Sequence, residues 1–257
     1  MNLTRLKSKK LVFTVTTGRS GTGLLAEKLK YINSADIYHE AEPGFHNHMR
    51  AVIEGKEDAK DFLFDQKLPF IERLSSSIYI ETSHLFCKGF LEPLLEIGII
   101  PDLILLRRPE RDTAKSLYQL GTIPGRNKKA NKFYLMPSDS KLYLPLSSWQ
   151  DMHDYQLCFW YTLEIIRRQQ IYHRLVKVLG GKVVEVTLDD ISKGQGIKKI
   201  TDSIKLPPVP FWSSWRRNKK VNTKTKKKRA FDIPDSDLFD MEREVYNATD
   251  FFGVNIY

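Results

Sequence analysis

The stretch LVFTVTTGRSGTGLL, residues 11–25, decides the fold class. Its first five residues are mostly aliphatic and aromatic, which indicates a buried strand, and the pattern after the glycines predicts a helix over about 22–31 with Leu24, Leu25 and Leu29 inward. A turn between a strand and a helix presents backbone N–H groups at the positive end of the helix dipole, where an anion binds well. The stretch therefore predicts a phosphate-type binding loop.

The loop differs from that of ordinary ATPases and GTPases. A Walker A loop needs Gly-x4-Gly-Lys-Ser/Thr, whereas the only cation in this loop is Arg19. The residues that would let backbone approach an anion, or donate hydroxyls to it, are Gly18, Gly21, Gly23, Ser20 and Thr22. A nucleotide or nucleoside kinase is disfavoured by the missing lysine, and a glycine-rich turn without a ligand stays open.

The rest of the chain alternates between strand and helix patterns. We expect strands at 35–40, 77–82, 102–106 and 182–187, helices at about 57–67, 89–97, 109–121 and from 236, and one long or two short helices over 149–179. This alternation predicts a three-layer α/β/α fold with a mostly parallel sheet. Ligands of such sheets bind outside the carboxyl ends of the strands. The residues in that position are 17–23, 39–43, 82–86 and 107–111.

Composition predicts one globular domain over residues 1–257. The chain is 41% hydrophobic, and its two cysteines, Cys87 and Cys158, have neither a disulfide-framework nor a zinc-site spacing, so we expect no metal and a reducing, cytoplasmic location. The apolar run near the N-terminus is shorter than the ~7–15 residues of a signal peptide or the ~20 of a membrane span. We therefore expect a soluble protein without a membrane span.

The positive charge is concentrated in one segment. The net charge is +10, and RRNKKVNTKTKKKR, residues 216–229, holds nine Lys or Arg and no acid. With its flanks, 213–230, this basic segment is either a solvated, mobile loop or a binding element for a phosphate-bearing cofactor, an anionic glycan or nucleic acid. No recognition helix or stacking motif accompanies it, which disfavours nucleic acid.

Several motifs together resemble the sulfotransferases that use 3′-phosphoadenosine-5′-phosphosulfate (PAPS). TGRSGTGLL (17–25) is similar to their 5′-phosphosulfate loop, and LILLRRPERDTAKSLY (103–118) to their 3′-phosphate motif, in which a strand ends in Arg and the next helix carries Ser. VVEVTLDDI (183–191), preceded by a Trp-led helix, is a further similarity. The Arg-Ser-Gly-Thr loop resembles the carbohydrate and tyrosylprotein branches. The resemblance implies the P-loop-like sulfotransferase architecture, PAPS as donor and 3′,5′-adenosine diphosphate (PAP) as product.

The resemblance also implies which residues bind the donor. They are Thr17, Gly18, Arg19, Ser20, Gly21, Thr22 and Gly23 at the phosphosulfate, Arg107 and Ser116 at the 3′-phosphate, and Arg216, Arg217 or Lys219 from the basic segment. In much of the family the arginine lies eight residues before the serine, whereas Arg107 lies nine and Arg108 eight residues before Ser116. We favour Arg107 because it ends the strand, with Arg108 as the alternative.

Sulfuryl transfer needs a base for the acceptor and charge stabilisation at the sulfonate. Arg19 is the candidate for the second role. By resemblance Glu40 is the favoured base, with Glu42 second and His84, in YIETSHLF (79–86), as the rival. YHEAEPGFHNH (38–48) also holds His39, His46 and His48; His46 and His48 have metal-type spacing without a third ligand, so we interpret them as loop residues facing the acceptor.

The segment 121–148 is predicted to be a long surface loop and a substrate-binding element. Its basic and aromatic residues favour a carbohydrate or glycolipid acceptor over a small phenol, and a hydroxyl or an amine could take the sulfuryl group. These residues are Arg126, Lys128, Lys129, Lys132, Phe133 and Tyr134. We expect the acceptor between this segment and the loops after the second and third strands. The oligomeric state is not indicated by any motif.

Overall fold

The central element is a sheet of five strands that all run parallel. The computed structural model describes residues 3–210, 229–249 and 251–252. The spatial order of the strands is β2-β3-β1-β4-β5. The strands are β1 (Lys10–Val15), β2 (Ala35–Tyr38), β3 (Ile78–Glu81), β4 (Asp102–Arg107) and β5 (Val183–Thr187). The predicted α/β class with a parallel central sheet is confirmed.

Helices connect the strands and cover the sheet. In the described residues they are α1 (Leu3–Lys7), α2 (Thr22–Leu29), α3 (Phe45–Ile53), α4 (Ala59–Phe62), α5 (Leu68–Arg73), α6 (Leu91–Glu96), α7 (Glu110–Gln119), α8 (Lys128–Asn131), α9 (Asp154–Val178), α10 (Leu188–Lys193), α11 (Gln195–Ile204) and α12 (Asp235–Thr249). A π-helical turn, Leu63–Lys67, joins α4 to α5, and a 3₁₀ turn, Trp149–Asp151, precedes α9. None of these helices is both long and apolar enough to cross a membrane.

Side-chain alternation along the strands separates two buried cores. Phe13 of β1 and Leu105 of β4 point into the larger core, whereas Val12 and Ile104 point into the smaller one on the opposite face. Because successive side chains of a strand point to opposite faces, an apolar run buried on both faces needs helices on both. The long helix α9 packs on the first face, and Leu25 of α2 belongs to the second core.

Several elements differ from the expectations. The predicted loop after β2 contains α3, whose buried Phe45, Met49, Val52 and Ile53 recur at helical spacing. The helix expected at 57–67 continues through the π-helical turn to Arg73, and α10 and α11 follow β5 without having been predicted. Of the two options for 149–179, the single long helix α9 is the one observed.

The segment 121–148 is not a surface loop throughout. It contains α8, and its apolar side chains lie in the larger core. Buried members are Ile123, Ala130, Leu135, Leu144 and Leu146. Arg50 fixes the segment from α3, since its guanidinium donates to the Tyr134 carbonyl at 2.7 Å and to Asp139 at 2.6 Å. Buried aliphatic side chains and the Arg50 hydrogen bonds together anchor this segment, although its aliphatic residues show no regular period in the sequence.

Candidate active site

The turn after β1 is held by its own hydroxyl groups. Thr16 Oγ1 donates to the Leu106 carbonyl at 2.7 Å, which ties the turn to the end of β4. Ser20 Oγ donates to the Thr17 carbonyl at 2.7 Å and lies 2.5 Å from Thr16 Oγ1, so this hydroxyl is turned into the loop. Gly21, at φ 100, precedes α2 in a left-handed conformation, and a Cβ there would collide with the Leu188 side chain. The loop is therefore preformed.

Arg19 is exposed at the tip of this turn. It has φ 72, a left-handed conformation that costs energy for a residue with a Cβ. Its side chain forms no ion pair with a residue in the described ranges. Arg108 Nη1 donates to the Arg19 carbonyl at 3.0 Å, and burial lowers the pKa of Arg108. Two guanidinium groups thus lie near one exposed turn.

A cavity of about 190 Å³ opens beside the turn, between the end of β4 and helix α9. Its lining combines two arginines and one acid with other polar and with aliphatic side chains. The polar residues are Thr17, Arg107, Arg108, Glu110, Thr162, Gln169 and Thr187, and the apolar ones are Leu106, Pro109, Ile165 and Ile166. An anionic group attached to a flat, less polar ring system matches such a lining.

The two candidate arginines of this cavity have different partners. Arg107 Nε donates to Gln169 Oε1 at 3.2 Å, and its Nη1 lies 3.1 Å from Glu185 Oε1. Arg108 instead contacts the turn after β1. Ser116 is buried on α7 and is not among the residues that line the cavity. The structure therefore brings Arg107, Arg108 and Thr17 together without adding Ser116 to that lining.

Glu40 and His84 meet across the ends of β2 and β3. His84 Nε2 lies 3.7 Å from Glu40 Oε1, and the Glu40 side chain is 36% exposed. Glu40 has φ 55, a second left-handed non-glycine residue at this edge of the sheet. Neighbouring parallel strands bring their carboxyl ends to the same edge, which explains why residues 44 positions apart in sequence are in contact. The two rival bases thus belong to one pair.

The buried Lys88 contacts His84 of this pair. Its ammonium lies 2.8 Å from His84 Nδ1 and donates to the Phe133 carbonyl at 2.6 Å. The same ammonium lies 5.2 Å from the ring centroids of Tyr134 and Tyr161. Burial lowers the pKa of Lys88 to about 7, and burial with the charge of Lys88 holds the pKa of His84 well below its usual range.

Tyr134 and Tyr161 connect this cluster to the turn after β1. The Gly18 N–H donates to the Tyr161 hydroxyl at 3.4 Å. A Cβ at Gly18 would lie 2.7 Å from Tyr134 Cε1, so only glycine fits there. Burial raises the pKa of Tyr134, and the charges of Arg19 and Glu40 act on it in opposite directions. The tyrosine ring therefore lies between the turn and the Glu40–His84 pair.

The other residues expected near the acceptor have structural partners. His46 and His48 lie on α3 rather than in a loop, so that interpretation was wrong: His46 Nε2 is 3.5 Å from Glu42 Oε1, and His48 Nδ1 is 2.5 Å from Glu57 Oε1. His39 is exposed and its Nδ1 lies 2.9 Å from the Thr82 carbonyl. The described residues contain no group of three or more His, Cys, Asp or Glu side chains arranged to hold a metal ion.

A buried ion pair fixes the loop that carries Glu40. Lys67 Nζ lies 2.8 Å from Glu81 Oε2 and donates to the carbonyls of Ala41 and Pro43 at 3.1 and 3.0 Å. Glu81 Oε1 in turn accepts the Ala41 N–H at 3.1 Å. Burial raises the pKa of Glu81 and lowers that of Lys67 despite their attraction. This pair anchors the backbone next to Glu40.

Sequence reasoning missed Lys88, Tyr161 and Gln169. Lys88 is a cation inside an otherwise apolar run and stands four residues after His84, which is a signal that could have been used. Tyr161 and Gln169 lie on α9 among many buried residues, and no sequence pattern separates them from the core. Arg216, Arg217, Lys219 and the basic segment up to residue 228 lie outside the described residues.

Two solved structures share this arrangement of strands and helices. The sulfotransferase domain from the curacin biosynthetic pathway is 11% identical, with 96% of this chain and 92% of that chain covered, at a TM-score of 0.54. The sulfotransferase from Alicyclobacillus acidocaldarius is 12% identical, with 95% of each chain covered, at a TM-score of 0.51. The chain has the sulfotransferase fold. No protein-family model and no curated protein matches the sequence.

The sulfotransferase fold accounts for where the candidate residues lie, because the turn after β1, the ends of β2 and β3 and the end of β4 all open at one edge of the sheet. Two of the candidates carry left-handed backbone at that edge, namely Arg19 and Glu40. At sequence identities of 11% and 12%, the likeness extends to the fold and not to the roles of single residues.

Proposed function

We propose that this protein is a sulfotransferase that moves the sulfuryl group of PAPS to a hydroxyl or amine of an acceptor. The observation that supports the proposal best is that two cationic features lie side by side at the carboxyl edge of the parallel sheet. One is the turn that carries Arg19, and the other is the 190 Å³ cavity lined by Arg107 and Arg108. A donor with anionic groups at both ends of its sugar needs cationic or N–H partners at two places, and this edge provides both.

The residues fit that donor in chemical type. Arg107 is our candidate for the 3′-phosphate because its guanidinium lines the cavity and is held by Gln169. Arg108 supports the turn through the Arg19 carbonyl and is the alternative. Ser116 would have to reach the phosphate from α7. PAPS supplies an activated sulfuryl group, and the chain's own groups bind it, align it and stabilise charge.

We propose Glu40 as the base and Arg19 as the group that stabilises charge at the transferred sulfuryl. Glu40 is half-exposed at the sheet edge, so its carboxylate can meet an acceptor, and His84 lies 3.7 Å behind it. Arg19 is exposed at the tip of the turn after β1, and its charge, like that of Glu40, acts on Tyr134. In-line transfer then moves the acceptor proton to Glu40 while the sulfur–oxygen bond to the acceptor forms and the bond to the donor phosphate breaks.

The surface on and after α8 carries exposed cationic side chains. Exposed Lys128 and Lys129 on α8 and Lys132, which lies over the Phe133 ring, support a sugar or an anionic glycolipid as the acceptor. Arg126 is already engaged, since it donates to the carbonyls of Gln150 and Met152 at 2.8 Å. We propose a carbohydrate-type acceptor bound between this surface and Glu40, in a protein of cytoplasmic location.

A ligand titration tests the donor assignment. We expect 3′,5′-adenosine diphosphate to raise the thermal midpoint, because a ligand at 100 times its Kd stabilises the native state by about 2.7 kcal/mol. ATP and 5′-AMP, which lack the 3′-phosphate, should give clearly smaller shifts. Equal shifts with all three would remove the 3′-phosphate site, and no shift with any of them would remove the PAPS proposal.

Transfer of ³⁵S from labelled PAPS to a panel of oligosaccharides, glycolipids and phenols tests the reaction itself. Labelling of the sugars is expected. Labelling confined to phenols would overturn the acceptor class while leaving the donor assignment intact.

A further inference from the structure

The strongest unassigned feature is the buried Lys88 beneath the Glu40–His84 pair. The Lys88 side chain is fully buried. Its ammonium contacts the imidazole nitrogen His84 Nδ1 at 2.8 Å rather than a carboxylate. A buried ammonium without a directly bonded acid is costly, and such groups cluster at functional sites. Its remaining contacts are the Phe133 carbonyl and two tyrosine faces.

We propose that Lys88 sets which nitrogen of His84 carries the ring proton, and that this choice decides whether Glu40 alone or His84 as well can take the acceptor's proton. The inference rests on the proposed function for its catalytic consequence, on the contact between Lys88 and His84 for the tautomer, and on the burial of Lys88 for the pH range of the change. Lys88 acts here as a positioning residue.

The charged form of Lys88 permits only one tautomer. An ammonium has three donors and no acceptor, so His84 Nδ1 must accept from it, and the ring proton of neutral His84 then resides on Nε2. That Nε2–H faces Glu40 Oε1 at 3.7 Å. In this state His84 has no free lone pair toward the acceptor, and Glu40 is left as the base.

The neutral form of Lys88 removes this constraint. A neutral amine has two N–H donors and one lone pair, so it can donate to the Phe133 carbonyl and also accept from Nδ1–H of His84. The second tautomer, with the ring proton on Nδ1 and with Nε2 as an acceptor, becomes available only in this form. Since burial places the pKa of Lys88 at about 7, the change falls near neutral pH, with the ammonium form below and the amine form above.

Two of the charged neighbours are themselves paired. The groups whose charges act on Lys88 or His84 are Glu40, Cys87, His39, Arg50 and Arg168. Arg50 is paired with Asp139 at 2.6 Å and Arg168 with Glu164 at 2.7 Å, so each of these guanidinium charges is balanced by a carboxylate. Burial raises the pKa of Cys87, which keeps it a thiol. Tyr134 and Tyr161 also keep their protons, because burial raises their pKa values.

Imidazole ¹⁵N NMR on the whole protein without ligand tests the tautomer independently of any activity. The chain has six histidines, and His84→Asn identifies the His84 signals. We expect an unprotonated Nδ1 and a protonated Nε2 below pH 7, with the two roles exchanging as the pH rises. A protonated Nδ1 at low pH, or an unchanged tautomer from pH 6 to 9, would overturn the proposal.

Lys88→Met supplies the second arm, because it keeps the volume and removes the donor. We expect the exchange between tautomers near pH 7 to disappear in this variant and to persist in Lys10→Met, which removes a lysine paired with Asp102 away from the site. Should Lys88→Met fail to fold, the wild-type titration still decides. If His84 shows the expected tautomers but the protein does not bind 3′,5′-adenosine diphosphate, the proposed function is rejected and this inference is retained.

The kinetic consequence appears in a variant without the Glu40 carboxylate. In Glu40→Gln, residual transfer should rise about tenfold from pH 6 to 8 as His84 Nε2 becomes free, because the fraction of neutral Lys88 rises about tenfold across a pKa of about 7. The combined Glu40→Gln, Lys88→Met variant should lack this rise. A rise of the same size in both would show that Lys88 does not control His84.

Discussion

Two residues at the sheet edge, Arg19 and Glu40, carry left-handed backbone although neither is glycine. Such conformations cost free energy and persist only where surrounding contacts fix them. Arg19 is held by the Arg108 guanidinium at its carbonyl, and Glu40 by the Lys67–Glu81 pair that fixes the adjacent Ala41. The strain therefore lies at the carboxyl edge of the sheet, in the turn after β1 and the loop after β2.

Arg19→Ala tests the charge-stabilising role. We expect the turnover number to fall by about 10²-fold or more, as when one oxyanion-type donor is removed, with little change in the thermal midpoint because the side chain is exposed. Arg243→Ala is the matched control, since Arg243 is 59% exposed and its charge is paired with nearby Asp240. Near-full turnover in Arg19→Ala would show that this arginine is a bystander.

Glu185→Gln distinguishes the two candidate arginines of the cavity. Glu185 lies 3.1 Å from Arg107 Nη1 and competes with an incoming phosphate for that guanidinium. Because both side chains are more than a third exposed, the gain is small, about two- to fivefold tighter binding of 3′,5′-adenosine diphosphate by calorimetry.

Asp189→Asn, which removes an exposed acid paired with Lys193, should leave that affinity unchanged. If Glu185→Gln also leaves it unchanged while Arg108→Ala abolishes binding, the 3′-phosphate site belongs to Arg108.

At the scale of elements, the turn after β1 is fixed by its contacts with α9 and with the segment 121–148. Gly18 touches Tyr161 of α9 through its N–H and leaves no room between its Cα and the Tyr134 ring. The sequence indicated the turn because glycines and hydroxyls follow a strand. It could not indicate that Tyr134, more than a hundred residues later, forms its other wall.

Gly18→Ala should therefore destabilise the protein. A Cβ at 2.7 Å from Tyr134 Cε1 forces one of two buried groups to move, and overpacking of this kind costs about 1–3 kcal/mol. Urea unfolding measures the loss. In a Tyr134→Leu background, which lacks the clashing ring, Gly18→Ala should lower the free energy of unfolding by less than it does in the wild type. A free energy of unfolding unchanged by Gly18→Ala would contradict the close contact.

Helix α3 and the segment 121–148 show why element prediction fails locally. The Pro-Gly pair before Phe45 and the polar residues around it are typical of a loop. The apolar residues of α3 nevertheless form a helix, because they are buried in the larger core. Within 121–148, isolated aliphatic residues find the same core without any repeat. Short elements of this kind depend on tertiary burial more than on local propensity.

At the scale of the whole molecule, α12 closes the side of the fold formed by α7 and α9. The Glu242 carboxylate of α12 accepts hydrogen bonds from Arg111 Nε at 2.9 Å, from Arg111 Nη2 at 2.6 Å and from the Tyr155 hydroxyl at 2.6 Å. A carboxylate between a guanidinium and a phenol raises the pKa of both donors, in addition to the effect of burial on Tyr155. One acidic side chain thus links three helices.

Glu242→Gln should weaken this link by about 1.5–3 kcal/mol, the range for hydrogen bonds to charged groups, and toward the lower end because Arg111 is 41% exposed. The free energy of unfolding in urea is the measurement. Asp240→Asn, an exposed position on the same helix, should change it by less than about 0.5 kcal/mol. Equal effects of the two substitutions would show that α12 gains nothing from the Glu242 contacts.

The sequence by itself determined the elements whose signals are local: a buried strand, a glycine turn and a helix at residues 11–25, and strands alternating with helices, which imply a parallel sheet. Backbone geometry and hydrophobic periodicity act over a few residues, so these features are legible in order along the chain. The tertiary structure alone decided that Glu40 and His84 form a pair above Lys88, and that Tyr134 lies between them and Arg19. Those contacts join residues far apart in sequence, and they depend on which strands become neighbours and on which side chains burial forces together.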